Sequence, residues 1–287
     1  MLASHRYDHP MWPDEREPRD PGSYLLGHDP HELRRLGLQA RVIDPITRHF
    51  LLSAGVVPGM RVLDVGSGAG DVAFLAADIV GEGGSVTGVD RSANAIAAAT
   101  AAASTRGLSN VSFVLADLAA MPGDDRFDAI IGRYVLQWLH DPAGTLRALA
   151  GHLGPDGIVV FHEVDWTGSS SNPPAPLWDA TCLWVAETIR RSGAETRGTN
   201  AHGTFKRAGL GAPTMRLEAV VGGGEHTEPI DLLTNLVGTV AEAAEAYGIA
   251  TIREIDIETL HERLRVEAAA TDSVLVAHTE VGAWVRR

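Results

Sequence analysis

Between residues 61 and 163 short apolar segments alternate with amphipathic ones in a regular series, and this alternation narrows the possible folds more than any other feature. Residues 61–65, 85–90, 111–115, 127–132 and 157–163 read as strands, being short, apolar and bounded by turn residues. Residues 72–80, 93–104 and 142–153 read as helices, the second behind a Ser92 cap. Parallel neighbours need crossover connections, and helical crossovers cover the faces of a sheet. The pattern therefore predicts a doubly wound α/β core.

The flanks are helical. Leu33, Leu36 and Ala40 stand at helical spacing, and Pro45 suits the first position of a further helix carrying Ile46, Phe50 and Leu51. After Val164 the run Gly168-Ser169-Ser170-Ser171-Asn172-Pro173-Pro174 is a loop by composition. Trp178, Cys182, Val185 and Ile189 then share one helical face, and residues 206–210 read as a helix end closed by Gly209. Residues 217–221 can return to the sheet. A helical stretch over 229–270 carries Leu233, Leu236 and Val240, then Ile257, Leu260 and Leu264, and residues 273–285 form the last strand region.

Composition excludes several classes. With 45% hydrophobic and 21% charged residues, the 287-residue chain suits one large globular domain with elaborations. Its 24 Lys and Arg against 37 acidic residues give net −13, so the broad positive field needed for nucleic acid is missing. Cys182 is the only cysteine, which rules out an intrachain disulfide and fits a reducing cytoplasm. Residues 1–22 lack the apolar core of a secretory signal and read as a loose leader. No segment offers the about 20 apolar residues of a membrane span. No metal-ligand set appears among the scattered histidines and carboxylates. The expected partner is a small molecule, and the chain is expected to be a monomer or homodimer.

Asp64 precedes a turn in which Gly66, Gly68 and Gly70 stand two apart, letting a ligand approach the backbone. A dinucleotide loop, Gly-x-Gly-x-x-Gly, requires its third glycine at position 71, which is Asp71, so a NAD-dependent oxidoreductase is disfavoured. Asp90 ends the second strand, where a carboxylate can accept both ribose hydroxyl protons, and Asp117 follows the third, within reach of an adenine amine. Each aspartate alone is more often a solvated loop residue or helix cap. Together they outline one nucleoside.

Through Val62-Leu63-Asp64-Val65-Gly66-Ser67-Gly68-Ala69-Gly70, Gly88-Val89-Asp90, Ala116-Asp117-Leu118 and Phe127-Asp128-Ala129-Ile130-Ile131, residues 30–165 resemble the class I S-adenosylmethionine-dependent methyltransferases. The resemblance implies a Rossmann-like core with a mainly parallel seven-stranded sheet, an N-terminal helical lid and helical substrate-side insertions. It divides the chain into residues 1–52, leader and lid; 53–166, cofactor-binding core; and 167–287, substrate roof with the last strands. It implies that S-adenosylmethionine binds here and leaves as S-adenosylhomocysteine. Asp64 and the loop of Gly66, Ser67 and Gly68 would hold the methionyl part, Asp90 the ribose, and Asp117 with Ala116 and Leu118 the adenine, flanked by Arg91. The end of the fourth strand would bring Arg133, Tyr134, Gln137 and Trp138 near the methionyl end. Arg133 is either a partner of the cofactor carboxylate or a surface arginine. The run Tyr24-Leu25-Leu26-Gly27-His28 with Leu36 and Gln39 is similar to the lid of a small-molecule subgroup, placing Tyr24 over the sulfonium and Gln39 or Arg41 near the carboxylate.

Methyl transfer needs an acceptor held in line and shielded from water more than it needs a base. Where a proton must leave, Glu163 at the end of the fifth strand is the candidate base, with Tyr24 to relay. His162 points to the opposite face by alternation. Trp138, Tyr134, Trp166 and Trp178 are candidates to line a substrate pocket, although tryptophan at helical spacing is more often a core residue. His278 and Trp284 have ordinary core or sheet-edge readings. The expected activity is methylation of a small, partly apolar metabolite of natural-product biosynthesis, the acceptor being an indole carbon or an N, O or S atom. A noncatalytic nucleoside-binding module is the remaining alternative.

Overall fold

The computed structural model describes residues 41–118, 126–224 and 226–287, so Tyr24, Gln39 and the expected lid lie outside the described residues. Five strands run parallel in the order β3 (Val111–Leu115), β2 (Ser85–Asp90), β1 (Arg61–Val65), β4 (Phe127–Arg133), β5 (Leu153–Asp165). Alternation in β1 sends Val62 into the core on one face, with Phe50, Ile131 and Val160, and Leu63 and Val65 into the other, with Ile130 and Phe161. Burying each such side chain contributes about 1.5–3 kcal/mol, and both faces of the strand are used. Three helices connect these strands or follow them: α2 (Asp71–Val80), α3 (Ala93–Thr105) and α4 (Pro142–Leu149). Ser92 caps α3, accepting from Ala95 N–H at 3.3 Å, and Asp141 caps α4, accepting from Gly144 N–H at 2.8 Å. The helix preceding the sheet, α1 (Asp44–Ala54), carries Pro45 in its first turn.

The last strand, β8 (Val274–Arg286), enters antiparallel to β5, with Glu163 opposite Val281. Its other edge pairs with β7 (Thr214–Gly222). A three-residue strand, β6 (Ser170–Asn172), pairs with Val274 to Val276 and prolongs the line of β5 beyond a turn. The sheet is therefore seven strands wide, and β6 adds length rather than width.

Three differences from the sequence reading have local causes. The helix expected over 142–153 stops at Leu149 and tightens into a 3-10 turn at Ala150–His152. Leu153, the expected end of that helix, and residues 154–156, which the sequence assigns to no element, belong to β5, whose register against β4 slips between Phe127 and Ala129. The stretch over 229–270 is three helices: α7 (Glu228–Ala246), α8 (Ile252–Ile255) and α9 (Ile257–Thr271). Gly248 and a Thr251–Glu254 capping box make the first break, and Asp256 at φ 44° makes the second. These helices and α5 (Pro176–Arg191) bury one cluster containing Trp178, Ile189, Leu236 and Leu264, which forms a roof over the carboxyl ends of the strands. A short helix, α6 (Ala201–Arg207), packs Phe205 against Phe161 on the other face.

Candidate functional site

A cavity of about 430 Å³ opens where β1, β2 and β4 end, the position at which ligands gather on open α/β sheets. Its floor is the turn between β1 and α2. Gly68 at φ 53° and Gly70 at φ 95° occupy left-handed backbone that favours glycine. A Cβ on Gly70 would stand 2.8 Å from Phe74 and 2.9 Å from Phe113, whereas a Cβ on Gly68 would meet nothing within 4 Å and face the cavity. Asp90 ties the turn down, its Oδ2 accepting from Gly68 N–H at 3.0 Å and its Oδ1 from Ser92 N–H at 2.8 Å.

Two buried polar atoms at this turn, Asp64 Oδ2 and Ser67 Oγ, have no partner in the described structure. Burial pushes the Asp64 carboxyl up to about 8, against the pull of Arg133, with Asp71 and Asp90 adding to the rise. A crowd of carboxylates around unpartnered oxygens suits a ligand that brings hydroxyls and positive charge. Ser67, Gly68, Asp90, Arg91, Asp117 and Leu118 line the cavity. Ala116 is half-buried and packs against the core beside it, and Asp64 sits beneath the turn rather than on the wall. The chemistry of these residues fits S-adenosylmethionine, which brings hydroxyls, an exocyclic amine and a cationic amino-acid end.

At the end of β4 the side chain of Arg133 is only 5% exposed, which corrects its reading as a surface arginine. It donates to Asp44 Oδ1 at 2.6 Å and to Thr47 Oγ1 at 3.0 Å, both on α1, and also lines the cavity. Burial works against its charge, but Tyr134 and Asp44 outweigh it and hold the guanidinium above its ordinary pKa. The chain then turns sharply, Tyr134 taking φ 59°, a strained value for a residue with a Cβ. Glu163 secures that turn, accepting from Val135 N–H at 3.1 Å and Leu136 N–H at 3.0 Å. Its carboxyl is pushed up to about 7 by burial, partly offset by these amides. Glu163 thus stands behind the residues that form the cavity wall and is not among them.

The candidate substrate residues divide. Tyr134, Trp138 and Trp166 line the cavity, and Trp166 Nε1–H donates to Gln137 Oε1 at 3.1 Å. Trp178, 1% exposed, is packed into the roof cluster. Ile189, Leu232, Asn235, Leu236 and His278 also line the wall, and the sequence does not single them out for that role. His278 had a signal available: in a final strand running antiparallel, the first residues stand at the carboxyl ends of the parallel strands. Two residues on, Glu280 lies fully buried, accepting from Tyr134 O–H at 2.9 Å and contacting His162 Nε2 at 2.7 Å. His162 faces this cluster and Glu163 faces the opposite way, as alternation requires. Burial raises the Glu280 carboxyl, yet His162 and His278 outweigh it and hold it at about 2.

A parallel sheet with a glycine turn and carboxylates at successive strand ends defines a nucleoside-binding Rossmann-like protein. Residues 57–209, just over half of the chain, match the methyltransferase domain family, and the chain belongs to it as an S-adenosylmethionine-dependent methyltransferase. Among relatives, the nocamycin O-methyltransferase of Saccharothrix syringae is 29% identical over 80% of this chain and 72% of its own length. The aklanonic acid methyltransferase DauC of Streptomyces sp. (strain C5) is 36% identical over 44% of this chain, and the match spans 57% of that enzyme. The crystal structure of the 4+2 cyclase SpnF overlays with a TM-score of 0.51 at 21% identity, covering 86% of this chain and 81% of that one, a likeness of fold alone. Among the described residues no helix is long and apolar enough to cross a membrane.

Proposed function

We propose that the chain transfers the methyl group of S-adenosylmethionine to a small, partly apolar metabolite of natural-product biosynthesis. The observation that carries this reading is a single cavity running from the glycine turn to an apolar roof of Trp138, Trp166, Ile189, Leu232 and Leu236. When bound, the cofactor supplies an electrophilic methyl on a sulfonium. Asp90 holds the ribose, Asp117 with Arg91, Ala116 and Leu118 the adenine, and Arg133, released from or shared with Asp44, the carboxylate. Ser67 and the glycine turn, with Asp64 beneath them, take the amino-acid end. Tyr134, Trp138 and Trp166 orient the acceptor and exclude water, so rate is gained chiefly from proximity and alignment.

The similarity to nocamycin O-methyltransferase supports oxygen as the acceptor atom. The alternative of an indole carbon drew on Glu163 as base, and Glu163 is engaged by two backbone amides behind the wall. The test is incubation with methyl-labelled S-adenosylmethionine and a metabolite extract of the encoding organism. A labelled, organic-soluble small molecule is expected. Label found only in protein or nucleic acid would sink the proposal.

A further inference from the structure

The roof end of the cavity contains one histidine that the methyl transfer as described does not use. His278 lies on the wall with its side chain 12% exposed. Its Nε2 stands 3.1 Å from Glu280 Oε1, and its ring leans on Trp166 with centroids 5.0 Å apart. Nδ1 has no hydrogen-bond partner among the described residues. Glu280 cannot swing away, because Tyr134 O–H and His162 Nε2 hold the same carboxylate. A buried carboxylate 3.1 Å from Nε2 favours the tautomer that carries its proton there and leaves the lone pair on Nδ1.

The backbone at this point is irregular on both edges of β8. Pairing with β7 slips between Ala219 and Val221, and the opposite edge passes from β5 at Thr279 to β6 at Val276. Irregularities of this kind re-aim side chains and recur beside active sites. The other cavity-lining charges near the roof are engaged elsewhere: Arg133 by Asp44 and Thr47, and the Tyr134 hydroxyl by Glu280.

We infer that His278, positioned by Glu280, is the proton acceptor of the reaction, and that the group methylated is a weakly acidic hydroxyl, phenolic in kind, on an apolar ring compound. The inference rests on the small-molecule reading above and deepens it. A neutral amine attacks through its lone pair, and a thiol ionises near neutral pH unaided. A neutral hydroxyl is different, since it must lose its proton as it attacks. The hydroxyl proton passes to Nδ1 of His278 while the oxygen forms its bond to the methyl carbon. The carbon–sulfur bond breaks with its electron pair staying on sulfur, leaving a methyl ether, a neutral thioether and an imidazolium that returns its proton to solvent.

The test uses the labelled acceptor isolated from the extract, with the methylated atom located by NMR. With wild-type protein the methyl is expected on oxygen. His278→Ala and His278→Gln are expected to slow single-turnover transfer about 10²–10⁴-fold at saturating S-adenosylmethionine while leaving its affinity unchanged. Added imidazole is expected to restore part of the rate to His278→Ala and none to wild type, an effect that a merely structural histidine does not show. Methyl on nitrogen, sulfur or carbon overturns the hydroxyl assignment and leaves the small-molecule reading standing. Transfer by His278→Ala at the wild-type rate overturns the proton-acceptor assignment. No labelled small molecule at all overturns the small-molecule reading itself.

Discussion

Two glycines in the same turn separate folding from cofactor binding. Gly70→Ala places a methyl 2.8 Å from Phe74 and 2.9 Å from Phe113, so two aromatic rings must shift, and it forces a Cβ into φ 95°. Left-handed strain costs about 1–2 kcal/mol and overpacking about 1–3 kcal/mol, a total of about 2–5 kcal/mol. At about 2 °C per kcal/mol for a domain of this size, the melting temperature falls by about 4–10 °C. Gly68→Ala carries the strain of φ 53° alone, because nothing lies within 4 Å of the new methyl. Its melting temperature falls by about 2–4 °C. That methyl faces the cavity, where it would meet the amino-acid end of the bound cofactor. At a concentration about 100 times Kd the cofactor contributes about 2.7 kcal/mol, or about 5 °C, to the wild-type melt. Gly68→Ala is expected to lose most of that rise, and differential scanning calorimetry with and without S-adenosylmethionine reads both effects. A full ligand-induced rise in Gly68→Ala refutes the placement of the cofactor over this turn. An unshifted melt for Gly70→Ala refutes the packing argument.

Glu163→Gln keeps an oxygen for the Val135 and Leu136 amides, so single-turnover transfer is expected to continue without the about 10²–10⁴-fold loss that follows removal of an acid–base group; such a loss would restore Glu163 as the base. Because burial raises the native Glu163 pKa from 4.5 to about 7, its contribution is fully present below pH 4.5 and lost as pH rises through 7. The loss amounts to about 3 kcal/mol at about 1.4 kcal/mol per unit, so urea denaturation should show Glu163→Gln gaining on wild type by that order across the window, and parallel curves would refute it. Trp178→Ala is expected to cost about 3–5 kcal/mol of stability while acceptor KM stays at the wild-type value in the folded enzyme, and a raised KM with unchanged melting would make Trp178 a substrate residue. Asp90→Asn replaces one acceptor oxygen by an N–H donor facing either Gly68 or Ser92, and S-adenosylmethionine affinity by calorimetry should fall by about 1–3 kcal/mol; an unchanged Kd contradicts the ribose assignment.

The core was legible because its cause is local. Val62 and Leu63 are both apolar and point to opposite faces, which only a doubly covered strand tolerates, and glycines at positive φ mark the turn after it. The roof was less legible. Asp256 breaks the helical stretch at φ 44° without the glycine that usually announces such a break, and Pro155 and Asp156 lie within a strand although their composition suggests a turn. Trp166 and Trp178 carry the same side chain, yet Trp166, just after β5, lines the cavity at the edge of the roof cluster, whereas Trp178 on α5 lies inside that cluster. A charge at a strand end reads as exposed until its partner is known, and the partner of Arg133 is Asp44, 89 residues away. His278 and Glu280 become legible only once the last strand is run antiparallel, which sets its first residues at the carboxyl ends of the parallel strands.

The most direct test of the central claim is a crystal structure with S-adenosylhomocysteine. The adenosine is expected between Asp90 and Leu118, its ribose hydroxyls on Asp90, and the amino-acid end over Gly66 to Gly68 beside Arg133. A nucleoside bound elsewhere, or one whose ribose avoids Asp90, contradicts that claim.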